Sequence, residues 1–350
     1  KLSPHIYIMR KIPFNNIVRT DRNIKDRILR RIQKNVDSGD FVLGKAVQQF
    51  EYKFAAYIGK KYCVGVNSGT SALEIGIKAL NLKKGNIITH SNSYIATALG
   101  IIKNEQAVKF VDIDRNSLMI DVNKIEQNIT DETVAICVAH LYGNAANIDK
   151  ILEITAKYNL KLIEDCAQSH GAKYNGQMVG SLGDISCFSF YPTKNLGCYG
   201  DGGAIFTNSD DLAHTIRGIV NHGMYVRYHH DVVGVNSRLD SVQAAILSVK
   251  LPLLDFYNER RKEASLLYSN ELNQNKNLLT PIVKNDCQSH VFHQYTLRVL
   301  SGNRDQLSKF LNDNNIPHGI YYPIPLHKQK AYTDINYNEE NFKISNMMSE

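Results

Sequence analysis

The chain has 350 residues, 43% hydrophobic and 21% charged, with a formal net charge of +7. This length supports one large and one smaller domain with substantial cores. The composition excludes a disordered or collagen-like chain, and no apolar run is long enough for a membrane-spanning helix.

Residues 22–60 read as helical, with Ile24, Ile28, Leu29 and Ile32 at helical spacing. Lys25, Arg27, Arg30, Arg31 and Lys34 then form the wet face of an amphipathic helix, and without interleaved aromatics they suggest no nucleic-acid partner. Tyr62–Val66 reads as a strand, 67–70 as a loop and Ser71–Leu80 as a helix. Short apolar runs follow at Ile87–Thr89, Val108–Val111, Val134–Val138 and Leu162–Ile163, with a helix from Asn147 to Tyr158. Strands alternating with helices predict an α/β fold, a mostly parallel sheet covered on both faces. Beyond Leu251-Pro252 the pattern changes to a charged helix (Leu254–Asn270), a strand-like run (Tyr295–Val299), a helix (Arg304–Asn312) and the Pro-rich stretch 322–326. The expected division is a large domain over 1–251 and a small one over 252–350.

Cys63, Cys137, Cys166, Cys187, Cys198 and Cys287 contain no C-x-x-C pair, and the histidines lack ligand spacing. No disulfide frame or metal site is expected, and reduced thiols fit a cytoplasmic protein. The opening Lys1–His5 lacks a secretory pattern, and Met9 is a candidate start.

Three elements carry chemistry. Ser68-Gly69-Thr70-Ser71 lies between a strand and a helix, where free amides and hydroxyls can hold a phosphate or simply cap the helix. It lacks the Walker spacing, and the chain has no G-x-G-x-x-G after its first strand, as a plain nucleotide-binding module would. Asp165 closes the run Leu162–Gln168 at a strand end, where open α/β sheets place ligands, with Gln168 three residues on. Lys194 sits in Phe188–Gly197 beside Ser189 and before the glycine-rich Gly200-Asp201-Gly202-Gly203. Partial burial there would lower its pKa and favour a nucleophilic amine. A lysine for an aldehyde, an acid for a pyridine nitrogen and a loop for a phosphate are the parts needed for pyridoxal 5'-phosphate (PLP).

The chain resembles the DegT/StrS family of PLP-dependent nucleotide-sugar aminotransferases, of fold type I. The matching segments are Phe41–Gly44, Ser68–Thr70, Tyr94–Thr97, His140–Gly143, Glu164–Gln168, Ser189–Lys194, Gly200–Gly203 and Asn236–Asp240. The resemblance implies a seven-stranded sheet sandwiched by helices and a smaller C-terminal α+β domain. It implies that Lys194 carries the cofactor, that Asp165 pairs with the ring nitrogen, and that Gly69, Thr70, Ser71 and Ser189 surround the phosphate. Tyr94 would stack on the ring and Gln168 would lie beside its hydroxyl. It further implies a homodimer with shared sites: Asn236 would reach the partner's phosphate and Arg238 an anionic group of donor or sugar. Tyr322 and His327 would face the substrate. Two features depart from the family: Cys166 stands where a small residue is usual, and relatives continue past Glu350 through a further strand and helix.

The implied reaction moves an amino group from glutamate to the ketone of a nucleotide-linked sugar. Chain economy favours a UDP- or dTDP-4-keto-6-deoxyhexose, giving a viosamine-like 4-amino sugar. Val226–His230 with Val235–Arg238 instead resembles 3-aminotransferases acting on 3-keto-6-deoxyhexose or 3-keto-glucuronate types. A sugar 3-dehydratase would carry His at 194, and a non-catalytic PLP-binding regulator would be expected to carry a DNA-binding segment.

Overall fold

The structure, a computed structural model, describes residues 12–283, 290–300, 303–332 and 337–350. Lys1–His5, Met9 and Cys287 lie outside them; the other five cysteines are buried and unbridged. After α1 (Ile17–Thr20), the helical span expected over 22–60 divides into α2 (Lys25–Ser38) and α3 (Lys45–Ile58). The break falls at Gly39, whose left-handed φ of 66° closes α2. Then come β1 (Tyr62–Val66), α4 (Gly69–Ala79), β2 (Asn86–His90), α5 (Ala96–Ile102), β3 (Ala107–Val111) and β4 (Thr133–Ala139). Next are α6 (Ile148–Tyr158), β5 (Lys161–Asp165), the hairpin β6 (Lys173–Tyr174) and β7 (Gln177–Met178), then β8 (Ile185–Ser189) and β9 (Gly203–Thr207). Helix α7 (Asp210–Ile219), the hairpin β10 (Met224–Val226) and β11 (His229–His230), and α8 (Ser241–Lys250) complete this part.

The seven longer strands form one sheet in the order β1-β9-β8-β5-β4-β2-β3. Every neighbouring pair from β8 to β3 is parallel, whereas β9 is antiparallel to both β1 and β8. Because successive strand residues face opposite ways, the buried sheet feeds two apolar layers. Phe188, Phe206 and Leu162 pack on one side with Phe50 and Phe54 of α3, whose Phe54 ring lies 5.0 Å from that of Phe206. Ile163, Ile185 and Ile205 pack on the other with Leu73 and Ile77 of α4 and Ile101 of α5.

Pro252 sits in a tight turn between α8 and α9 (Leu254–Leu272), and the proposed 251/252 division falls at this joint. The strand expected over Tyr295–Val299 is confined to β13 (Arg298–Val299), paired with β12 (Leu278–Leu279). After α10 (Arg304–Asp313) the chain returns to the large sheet: Leu326, Tyr332 and Phe342 join the second layer. Helix α11 (Lys343–Ser349) is pinned there, since Asp112 accepts from the backbone of Ile344 (3.1 Å) and Ser345 (2.9 Å). Among the described residues no helix is long and apolar enough to cross a membrane.

Candidate active site

Strand β1 runs antiparallel to β9, which runs antiparallel to β8. The carboxyl ends of β1, β2, β4, β5 and β8 therefore share one edge of the sheet. The segments leaving that edge are Ser68–Ser71, Ser91–Tyr94, His140–Tyr142, Cys166–Gln168 and Phe190–Lys194. The topology thus gathers what the sequence scatters.

Asp165, the last residue of β5, is buried. Its Oδ2 accepts a 2.7 Å hydrogen bond from Thr97 Oγ1, and Oδ1 accepts from the Ala167 amide at 3.1 Å. Desolvation raises its pKa above the ordinary carboxylate value, against the opposing pull of Thr97, Ala167, Lys194 and His140. Lys194 is half-buried, close enough to Asp165 for the two charges to interact. Burial lowers its pKa to about 8, although Asp165 pulls the other way. Two imidazoles lie within reach of its charge, both held neutral mainly by desolvation and further by Lys194: buried His170, lowered to about 3, and part-buried His293, lowered well below the ordinary value. An amine near pH 8 is far more often neutral than an ordinary lysine.

The first turn of α4 lies at the same edge. Ser68 is the cap, accepting from the Ser71 amide at 3.1 Å and donating to Ser71 Oγ at 3.0 Å. Capping therefore falls to Ser68 and leaves the Thr70 hydroxyl out of it. At Gly69 a Cβ would meet the Ser189 Cβ at 2.5 Å, so the helix N-terminus abuts the end of β8. That close approach brings the first turn of α4, with Gly69, Thr70 and Ser71, against Ser189, where helix amides and hydroxyls could serve an anion.

Gln168 is buried: its Oε1 accepts from the Tyr142 amide at 2.6 Å, and its Nε2 donates to the Tyr322 hydroxyl at 2.9 Å. The Tyr142 hydroxyl donates to the Tyr321 carbonyl (3.1 Å). Tyr322 is thereby tied to the same edge, with its phenol pKa raised chiefly by burial. Tyr94 lies beside it, ring centroids 6.4 Å apart, with 58% of its surface exposed.

Three expected site residues lie apart from this group. Asn236 is exposed and bridges to Asn221, whose side chain also accepts from Arg238 at 3.0 Å. Neither contacts Asp165 or Lys194 of its own chain among the described residues. His327, expected to face the substrate, is packed inside the chain here. Its ring is 1% exposed, stacked on Phe342 at 4.1 Å and bonded to Asn346 at 3.1 Å. The last turn of chain folds over it.

Sequence reasoning missed several groups. Thr97 escaped because its role depends on a contact across 68 residues. Glu164, beside Asp165, accepts from the amides of Gly180 (2.9 Å), Leu182 (3.0 Å) and Gly183 (2.6 Å) and pairs with His140 at 3.2 Å. The second His140 nitrogen accepts from the Ala146 amide, so Nε2 carries the proton toward Glu164. The ligand atoms of His140, Glu164 and Cys166 lie within 4.8 Å of one another, but the His and Glu atoms are already spent on these bonds. Asn195, next to Lys194, donates to Asn258 Oδ1 (2.8 Å) and the Val291 carbonyl (3.0 Å), and its Oδ1 contacts His293 at 3.2 Å. It ties the lysine loop to the later part of the chain. Its place directly after Lys194 was the one available signal.

These residues fit PLP. A half-buried amine of lowered pKa, a buried carboxylate with only two donors, and a helix N-terminus whose glycine admits Ser189 answer to the aldehyde, ring nitrogen and phosphate.

The comparisons agree with this geometry. A family profile described as the DegT/DnrJ/EryC1/StrS aminotransferase family matches residues 22–350. The dTDP-3-amino-3,6-dideoxy-alpha-D-galactopyranose transaminase of Aneurinibacillus thermoaerophilus is 45% identical, covering 95% of this chain and 91% of the relative. The UDP-2-acetamido-2-deoxy-3-oxo-D-glucuronate aminotransferase of Pseudomonas aeruginosa is 41% identical, covering 92% and 89%. A crystal structure of DesV from S. venezuelae superposes with a TM-score of 0.93 at 34% identity, over 97% of this chain and 91% of that one.

Proposed function

The chain belongs to the DegT/DnrJ/EryC1/StrS aminotransferase family, and from that premise we propose that it uses PLP to move an amino group from glutamate to C3 of a nucleoside-diphosphate-linked 3-keto sugar. The single observation that carries an aminotransferase reading is that a part-buried Lys194 and a buried Asp165 stand at one edge of the sheet, near enough for their charges to interact. The choice of C3 replaces the C4 preference reached from chain economy. What favours it is that relatives at 45% and 41% identity are named for 3-amino and 3-oxo sugars.

When bound, the cofactor supplies an electron sink for the pair left as the donor's α-carbon loses its proton. The rest of the chemistry belongs to the protein. Lys194 Nζ, its pKa lowered by burial to about 8, would be the amine that holds the aldehyde and, when free, the base that takes up and returns the donor's proton. Asp165 would face the ring nitrogen and, as an anion, favour its protonated form. The amides and hydroxyls of Gly69, Thr70, Ser71 and Ser189 hold the phosphate. Tyr94 would cover the ring, with Gln168 beside its hydroxyl and Tyr322 toward the substrate.

Asn236 and Arg238 complete the partner's site in a homodimer. In support, Asn236 is exposed, Arg238 is bonded to Asn221, and the preceding segment carries exposed apolar side chains such as Val226, Tyr228 and Val233. Arg238 then meets an anionic group of donor or sugar.

Lys194→Ala should abolish turnover yet still bind pyridoxamine phosphate; retained transamination would exclude the assignment. The substrate is tested with glutamate and UDP- and dTDP-linked 3-keto and 4-keto sugars, reading the product by mass and the nitrogen position by NMR. Nitrogen at C3 is expected. Amination of 4-keto sugars alone would restore the rejected C4 reading, and cofactor binding without amination of any sugar would favour a regulator.

A further inference from the structure

Thr97 occupies the first turn of α5 and is fully buried. Its hydroxyl lies 2.7 Å from Asp165 Oδ2 and 2.8 Å from Ser93 Oγ. An ionised carboxylate only accepts, and a hydroxyl has one proton, so the directions are fixed. Thr97 donates to Asp165, and Ser93 donates to Thr97. Among the described residues Thr97 is the side-chain donor to Asp165; the other bond comes from the Ala167 amide. The pair brackets Tyr94, and the Thr97 amide donates to the Tyr94 carbonyl at 3.2 Å.

We propose that Thr97, backed by Ser93, is a positioning residue that holds the Asp165 carboxylate ionised and aimed at the ring nitrogen. The inference rests on the PLP reading above. A buried carboxylate with two donors is poorly solvated, so one charge-assisted bond weighs heavily. Thr97 acts against the burial that raises the Asp165 pKa. The other titratable groups facing Asp165 do not substitute for it. Lys194 from the β8 loop and His140 after β4 favour its charge; Cys137, Cys166, Cys187 and Tyr322 form their own charged states only at higher pH. The turn that presents Tyr94 thereby also sets the acid.

The test is equilibrium binding of pyridoxamine phosphate to the full chain, compared with the analogue that carries C–H in place of the ring nitrogen. The wild type should prefer the nitrogen form. Thr97→Val should weaken binding of the nitrogen form roughly tenfold or more and leave the analogue nearly unchanged. Thr97→Ser should restore the preference. Ser93→Ala should lose part of it, which keeps the test open if the valine variant does not fold. Equal weakening of both ligands would overturn the proposal and mark Thr97 as a packing residue. A wild type that binds both ligands equally well would instead overturn the pairing of Asp165 with the ring nitrogen, on which the proposal rests.

Discussion

Glu164 and Asp165 are consecutive on β5, both buried, and supplied very differently. Glu164 faces one side of the sheet and accepts three backbone amides and the His140 proton. Those bonds outweigh desolvation and lower its pKa. Asp165 faces the other side with one hydroxyl and one amide, and its pKa is raised. The saturated acid staples the loop 180–183 to the sheet. The undersupplied acid keeps acceptor capacity for something else. Burial alone does not identify a working carboxylate; the number of bonds left unmade does.

The largest effect that would sharpen this contrast is chemical. Asp165→Asn should lower the transamination rate about 10³-fold or more, since it removes the anion that preorganises the site. Thermal unfolding of that variant should stay near wild type, because few bonds are lost; a collapse in stability would erase the contrast.

Glu164→Gln should do the reverse. An amide NH₂ would face backbone donors, costing about 3 kcal/mol in denaturant unfolding, while folded protein keeps its cofactor affinity. The pH dependence follows from the sign of the shift. A carboxyl with a depressed folded pKa stabilises above its unfolded pKa and loses that contribution as pH falls through the folded value. The gap between wild type and Glu164→Gln should therefore narrow below the ordinary glutamate range. A gap constant down to that acidity would contradict the bonding described.

The smallest effect concerns the phosphate loop. Ser68→Ala removes the α4 cap and should cost about 1 kcal/mol of stability, with a modest loss of cofactor affinity measured by fluorescence. No change in stability would assign the capping role elsewhere, such as to Thr70.

Much of the fold was legible because local signals were strong. Strand β1 is bounded by Lys60-Lys61 and Asn67-Ser68, and the expected span matches it residue for residue. The span 22–60 was read through Gly39 because amphipathic spacing resumes on both sides of the break. The strand over 295–299 was overextended because its alternation continues where pairing partners do not. At the site, Lys194, Asp165, Gln168 and Tyr322 gather at one edge, since each lies on a segment leaving the sheet edge or bonded to it. Thr97, His140 and Asn195 fall within or beside the segments quoted from the sequence, but their roles are not legible there, because what they do depends on partners far away in the chain. The packing of His327 under Phe342 is illegible for the same reason: nothing local shows that Phe342 will fold over it.

The abutment of Gly69 on Ser189 has a consequence for assembly. Ser189 closes β8 and Gly69 opens α4 just after β1; β1 and β8 are separated in the sheet by β9, the last of its seven strands to be synthesised. The cradle for an anion cannot exist until that late strand slides between two earlier ones, a long-range event that is slow by nature. Acquisition of the cofactor's yellow colour during refolding would then time the final insertion, and a chain halted before position 203 would stay colourless however much of its helical content had formed.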